Sequence, residues 1–340
     1  MAIQGERSRT VVAGIDEAGF GPILGPLVVS SSIFRVPDNL IWADLWGILK
    51  KSVSEKRTGL RGRLLIADSK KAFTRSSGIK HLQRTILAAI KLLGYEPGNI
   101  SELLSALCSA PVGPRLSSDE IRTTNDELRE YPWYKKLDEY QLEAETADIG
   151  IGASMLRADL ANQHIELLGL NSRCLEVAYY NAQISAVKNK SKVLFTAVAG
   201  LMQEAMDKFR DENLEIVIDR QGGRSHYRRE LQLMFGDAQL RIIKEDQDRS
   251  SYELRTGERK VRVHFIVGAD DKYLPVSLAS MASKYIREVL VDNINRYFIG
   301  LNSQLKPTAG YWKDGLRFIK DIKTHVPDAK YDTNQLVRCR

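Results

Sequence analysis

The chain has 340 residues, 43% of them apolar and 27% charged, with a net charge of +7 and a pI near 9.1. That composition is ordinary for a soluble globular protein with a large core, and the length alone suggests roughly two domains. No apolar run reaches membrane-spanning length and the start lacks a signal-peptide core, so no membrane is expected and a cytoplasmic location is.

The basic balance favours acidic partners and permits nucleic acid. Cys108, Cys174 and Cys339 are isolated and lack metal-ligand spacing, as free thiols in a reducing compartment would be.

Residues 1 to 9 are polar. Val11 to Pro26 then reads V-V-A-G-I-D-E-A-G-F-G-P-I-L-G-P. Val11 to Ile15 suits a buried strand that ends in two carboxylates, Asp16 and Glu17. Three glycines and two prolines follow, which exclude a helix and force a defined turn. Leu24 to Phe34 leaves that turn as a second strand. Adjacent strand residues point to opposite faces, but a strand end twisting into a glycine turn can aim both acids at one point. That arrangement suits a cation with oxygen ligands, and glycine backbone suits an approaching phosphate. A hairpin with solvated acids is the plain alternative.

Asp38 to Thr58 reads as a helix with a basic end. Leu64 to Ala67 is a short strand followed by D-S-K-K, in which Lys70 can reach a phosphate or simply sit in a capped surface turn. Ile79, Leu82, Ile86, Ile90 and Leu93 have helical spacing. From about Gly94 to Asn171 the pattern is irregular, with Pro97, Pro111, Pro114 and Pro132. Asp138 to Leu168 looks helical. Tyr131, Trp133, Tyr134 and Tyr140 among lysines read as local core, with base stacking as the alternative.

Leu175 to Ile184 is strand-like. Ser191 is a plausible cap for a strong helix carrying Leu194, Val198, Leu201 and Ala205. Leu214 to Asp219 is a buried strand ending in a carboxylate. Gln239 to Val267 reads as two or three strands, with Glu245, Asp246 and Asp248 as solvated acids and His226 and His264 in structural roles. In Gly268 to Glu288, Ser277, Ser280, Lys284 and Arg287 form one polar stripe of a helix. The stripe is a solvated face or a phosphate-contacting one.

G-I-D-E-A-G-x-G-P-x-x-G-P resembles the N-terminal signature of the type 2 ribonuclease H family, ribonuclease HII. L-x-D-S-K-K resembles its second signature, and the strand ending at Asp219 resembles V-x-I-D-G. G-A-D-D-K-Y-L-P-V-S-L-A-S-M-A-S-K-Y-I-R-E resembles A-D-x-K-Y-P-x-x-S-A-A-S-x-x-A-K-x-x-R-D, which puts the fourth acid at Asp270. Gly310, Tyr311 and Asp314 match a short G-Y-P-S-D segment. These blocks occur in the family's order. Phe20 stands for an arginine, Arg220 for glycine, Ser283 for alanine and Glu288 for aspartate.

The resemblance implies an α/β ribonuclease H-like fold: a mixed five-stranded sheet with helices on both faces, an inserted helical subdomain and C-terminal helices. Residues 1–93 and 172–300 would form the catalytic domain. Residues 94–171 would be an insertion, and 301–340 a C-terminal segment completing the substrate site. It implies an endonuclease acting on the RNA strand of RNA–DNA hybrids, leaving 5′-phosphate and 3′-hydroxyl ends. Asp16, Glu17, Asp219 and Asp270 would be catalytic, holding two Mg²⁺ or Mn²⁺ ions. Gly19, Phe20, Gly21, Lys70, Ser280, Lys284, Arg287 and Tyr311 would bind substrate. The implied partner is an RNA–DNA hybrid, and the chain is expected to be a monomer. Another nucleic acid as substrate, or nucleic-acid binding without catalysis, remain the alternatives.

Overall fold

A computed structural model describes residues 8–74, 78–108, 124–142 and 146–339. Pro111, Pro114 and the N-terminal residues 1–7 lie outside the described residues. In chain order the elements are β1 (Arg9–Ala18), β2 (Leu27–Pro37), α1 (Leu45–Ile48), β3 (Val53–Ser54), β4 (Leu64–Leu65), α2 (Ser69–Ala72), α3 (Lys80–Leu92), α4 (Ile100–Leu107), α5 (Thr124–Leu128) and α6 (Thr146–Asn162). They continue as β5 (Glu166–Leu175), α7 (Val177–Val187), α8 (Lys190–Lys208), β6 (Leu214–Asp219), α9 (Arg228–Met234), β7 (Gln239–Glu245), β8 (Arg249–Thr256), β9 (Arg259–Ile266), α10 (Leu274–Leu301), α11 (Trp312–His325) and α12 (Thr333–Leu336).

The main sheet runs β5-β2-β1-β6-β9-β8-β7. β2 is antiparallel to both β1 and β5, whereas β1, β6 and β9 are parallel neighbours. The first five strands of that order are the mixed five-stranded sheet of a ribonuclease H-like α/β fold. The antiparallel pair β8 and β7 extends it to seven. β3 and β4 form a separate two-stranded parallel sheet.

Side-chain alternation along β1 decides what packs where. Val11, Ala13 and Ile15 face one core with Leu194, Val198 and Leu201 of α8, whereas Val12 faces the other core with Val276, Ala282 and Ile286 of α10. Helices therefore cover both faces. α10 lies directly on β1: a Cβ built on Gly14 would sit 2.3 Å from the backbone of Pro275 and Val276. Only a glycine admits that approach.

Three readings need correction. Leu175 to Ile184 is not a strand; the strand is β5, which ends there, and α7 follows. The buried residues of α7, namely Val177, Tyr180, Asn181 and Ile184, recur at helical spacing. Asp38 to Thr58 is not one helix. Asp44 caps a single turn by accepting the Trp46 N–H, and the chain then turns into β3. Among the described residues, Asp138 to Leu168 is α-helical only over α6, after a short 3₁₀ turn at Leu137–Glu139, and β5 begins at Glu166, inside the irregular stretch.

That stretch also shares the main core. Tyr131, Trp133 and Tyr134 are buried, and Trp133 packs on Tyr297 and Phe298 of α10. They are core residues and unavailable for base stacking. The cap of α8 is Asn189, whose side chain accepts the N–H groups of Ser191 and Lys192. His264 sits between Glu215, 2.7 Å away, and Arg249, in a structural role. No helix among the described residues is long and apolar enough to cross a membrane.

Candidate active site

Parallel strands that end together bring their last residues to one edge. Ile15 of β1 pairs with Ile218 of β6, and Ile218 with Phe265 of β9. Asp16 and Asp219 are the next residues, side by side and on the α10 face of the sheet. After β9, Gly268 takes a left-handed φ of 61° and turns the chain into a short 3₁₀ segment, Ala269–Asp271, that carries Asp270. The Asp219 carboxylate accepts the Ala269 N–H at 2.7 Å, which ties that turn to the end of β6. Glu17 alternates to the other side of β1 from Asp16, yet still interacts electrostatically with Asp219 and Asp270.

The four acids are brought near enough to disturb one another. Burial and the neighbouring Glu17 and Asp219 push the Asp16 carboxyl well above the usual range. Burial and Asp219 raise Glu17 to about 8 and Asp270 to about 6. Burial raises Asp219 as well. Lys70 is a cation that answers Glu17, Asp219 and Asp270. Burial opposes the charge on Lys70, but Asp68, Asp270, Asp16 and Asp219 together raise its pKa. Asp68 positions it by capping α2 through the Lys70 N–H at 2.9 Å.

Among the described residues, no three His, Cys, Asp or Glu side chains are gathered closely enough to hold a metal ion as the chain stands. The donor set nevertheless fits a hard divalent cation: it is all carboxylate oxygen and short of positive charge. Mg²⁺ also keeps several waters, so few protein oxygens suffice.

These shifts predict how the metal-free chain responds to pH. The folded acids hold protons that the unfolded acids release, so stability falls as pH rises through their folded pKa values. His81 and His264, pushed down by burial, act in the opposite sense below about 6.5. Glu176, raised to about 8 by burial, acts in the same sense as Glu17. Between pH 6.5 and 8, in EDTA, the thermal midpoint should therefore drop, and the drop should shrink in Glu17→Gln. A midpoint that climbs over that window, or an unchanged drop in the variant, contradicts this assignment.

The polar stripe of α10 corrects an expectation. Ser280 is buried and bonds Ser69 at 3.1 Å while supporting Asp16. Arg287 is 1% exposed and donates to the carbonyls of Leu24 and Ala309. Neither side chain is exposed to solvent. Ser277 is fully buried too. Lys284 bonds Glu288 at 2.6 Å and lies over the Phe73 ring. The stripe is a supporting scaffold because α10 is covered on both sides.

Arg287 shapes the glycine turn. Gly19 has φ 98°, and a Cβ there would meet the Arg287 side chain and the Pro26 carbonyl at 2.7 Å. The Gly310 carbonyl accepts the N–H groups of Ile23 and Leu24, so the C-terminal loop closes over the same turn. Asp314 holds that loop by accepting from Thr308 and Ala309. Tyr311 stays 53% exposed beside it, with Arg287 5.9 Å from its ring centre. Gly21 is open, and the Phe20 ring lies under the Lys190 ammonium at 5.0 Å. Arg220 donates to the carbonyls of Asp246 and Gln247, fixing the β7–β8 turn.

One support is invisible to motif reading. Ser283 lies 3.0 Å from the Asp16 carbonyl and 2.8 Å from Ser30, which lies 2.8 Å from Ser172. One hydroxyl proton serves one acceptor, so donation runs Ser172 to Ser30 to Ser283 to Asp16. The signal was present: Ser30, Ser31 and Ser32 interrupt an apolar strand, and buried hydroxyls need partners.

No family model matches the chain, and no curated protein does. Solved structures with a likeness include the RNase HII of the PCNA:RNase HII complex from Archaeoglobus fulgidus, with 15% identity, 97% of this chain and 94% of that chain covered, and a TM-score of 0.40. Ribonuclease H2 from Pyrococcus horikoshii OT3 has 14% identity, 96% and 92% coverage, and a TM-score of 0.38. Bst-RNase HIII in complex with Mn²⁺ has 13% identity, 98% and 67% coverage, and a TM-score of 0.41. At these values no residue role is carried across.

Proposed function

We propose that the chain is a metal-dependent endonuclease that hydrolyses the RNA strand of RNA–DNA hybrids. The observation that carries this reading is that Asp16, Asp219 and Asp270 lie at or just beyond the ends of β1, β6 and β9, with Glu17 beside them, where burial raises all four pKa values and the neighbouring acids push Asp16, Glu17 and Asp270 further up. Asp16, Glu17, Asp219 and Asp270 would hold two Mg²⁺ or Mn²⁺ ions. Such ions, when bound, supply a nucleophilic water at neutral pH and stabilise the leaving oxygen.

The chain's own residues account for the rest. The Asp16 carboxylate is held by the Glu17 N–H and supported by Ser280, and the Asp219 carboxylate is held by the N–H groups of Ala269 and Arg220. Lys70 offers a cation to a phosphate at the rim. The open backbone at Gly21 and the exposed Tyr311 ring would lie along the sugar, whose 2′-hydroxyl separates RNA from DNA. The two ends of the chain are locked together around this turn by Arg287, so the surface that meets the ribose is rigid before substrate arrives.

A second reading, cleavage of a different nucleic acid, draws support from Phe20. Its ring cannot donate the hydrogen bonds of an arginine. One duplex series with Mg²⁺ or Mn²⁺ tests both: a full RNA–DNA hybrid, a DNA duplex with one ribonucleotide, RNA–RNA and all-DNA. Cutting of the hybrid is expected. Cutting only of another duplex moves the assignment to the second reading. Hybrid binding with no product under either metal leaves a binding protein.

A further inference from the structure

The sheet face that holds Asp219 continues well past it. Alternation puts Glu215, Val217 and Asp219 of β6 on the α10 side. Strand pairing extends that side through Arg262 and His264 of β9, then Ser251, Glu253 and Arg255 of β8, and Arg241 of β7. The residues between them, Val261, Val263, Phe265, Tyr252 and Leu254, belong to the opposite core. α10 lies over β1 and β2 on this side. On β9, β8 and β7 the outermost side chains are instead Arg262, Lys260, Arg255 and Arg241, all of them exposed.

The charge there is unbalanced. Glu253 is 3% exposed and faces three guanidiniums, Arg241 at 3.3 Å, Arg255 at 3.6 Å and Arg262 at 3.7 Å. Glu215, also buried, is shared by Arg262 at 3.0 Å and His264 at 2.7 Å. Arg249 donates to Ser251 and His264 and lies 4.7 Å from the centre of the exposed Trp42 ring. Lys260 stands beside Arg255. A merely solvated face mixes both signs at its surface. Here the carboxylates form the floor and only cations stand outside. The floor holds the guanidiniums from beneath, and their remaining N–H donors are left for an anion.

We propose that this face is a nucleic-acid platform. The duplex arm that leaves the acids across β9 lies on it, with Arg241, Arg255, Lys260 and Arg262 against backbone phosphates. The proposal rests on the nuclease reading and deepens it by naming the arm of substrate that the chain holds. Asp219, Ile266 and Arg249 form one row across β6, β9 and β8, so Arg249 begins the platform about 10 Å from Asp219. From Arg249 to Arg255 the strand runs a further 20 Å or so, about six base steps. An acidic protein would meet the same charge, but the face is continuous with Asp219, which favours the strand that passes that acid. The platform sits largely on β8 and β7, the two strands added to the five-stranded sheet.

The full chain carrying Arg241→Gln, Arg255→Gln and Lys260→Gln together provides the test. All three residues are exposed and Glu253 keeps Arg262, so the fold should stand. Two 30-base-pair DNA duplexes carry a block of four ribonucleotides, six base pairs from one end or from the other. The variant should lose about thirtyfold in kcat/KM on the duplex whose long arm crosses the platform. That loss should exceed the loss on the mirror-image duplex at least tenfold. Equal losses on both, or none, overturn the platform. If the wild-type chain cuts neither duplex, the nuclease reading falls. Anisotropy with a 30-base-pair RNA–DNA hybrid in EDTA then decides the platform alone. A slope of log affinity on log salt reduced by about 2.7 in the variant sustains it, and an unchanged slope overturns it. Duplex binding untouched by the variant, with poly-glutamate binding that the variant loses, overturns it too and gives the face to an acidic protein.

Discussion

Asp16→Asn lowers hybrid cleavage by about 10³-fold and leaves hybrid binding within a few-fold of wild type. The size follows from the several kcal/mol of transition-state stabilisation that a metal centre supplies, at about 1.4 kcal/mol per tenfold. The amide that replaces the carboxylate keeps its shape. The amide oxygen can still accept the Glu17 N–H, and the main-chain carbonyl at this position still accepts from Ser283. What goes is the charge, and with it the ability to share a divalent cation. The same change relieves repulsion with Glu17 and Asp219, so the metal-free variant should melt higher than wild type at pH 8. Single-turnover cleavage, an anisotropy titration in EDTA and thermal melts read the three effects. Full activity in folded Asp16→Asn would remove the carboxylate site from the reaction.

The acids were legible in the sequence because each ends an apolar run, and strand ends are where a parallel sheet collects side chains. Phe20 and Tyr311 were legible as parts of motifs. Burial was not. The i, i+3, i+7, i+10 stripe of Ser277, Ser280, Lys284 and Arg287 says only that these residues share a face. Whether that face meets solvent depends on the loop around Gly310, which lies far away in sequence. Arg287 therefore reads as a phosphate ligand and folds as a clamp. The strand β5 was hidden for a related reason. Its run, E-L-L-G-L-N-S-R-C-L, is half-buried at a sheet edge and carries a bulge where Ile33 gives way to Phe34 on its partner β2. Its alternation is broken just where it would identify it. Arg338 escaped altogether, because nothing in a C-terminal V-R-C-R announces that its guanidinium inserts beside Pro22.

Gly14→Ala should destabilise the protein by about 3 kcal/mol or more, at the upper end of what overpacking costs. The new methyl group would sit 2.3 Å from two main-chain atoms of α10, Pro275 C and Val276 N. A flexible side chain could yield; a helix backbone cannot. Ser32 holds the same turn by donating to the Pro275 carbonyl at 2.6 Å. α10 must therefore move as a body, and it carries Ser280, Ser283 and Arg287 with it. Asp16 would lose the supports that set its carbonyl and carboxylate, so activity should fall along with stability. Gly21→Ala is the control, since no atom lies within 4 Å of its added Cβ and its φ is not left-handed. Its cost should stay under about 0.5 kcal/mol. Urea unfolding of both variants measures the difference. A Gly14→Ala midpoint close to that of Gly21→Ala would show that α10 does not rest on β1 at this point, and would undo the geometry on which the buried serine relay and the placement of Asp16 depend.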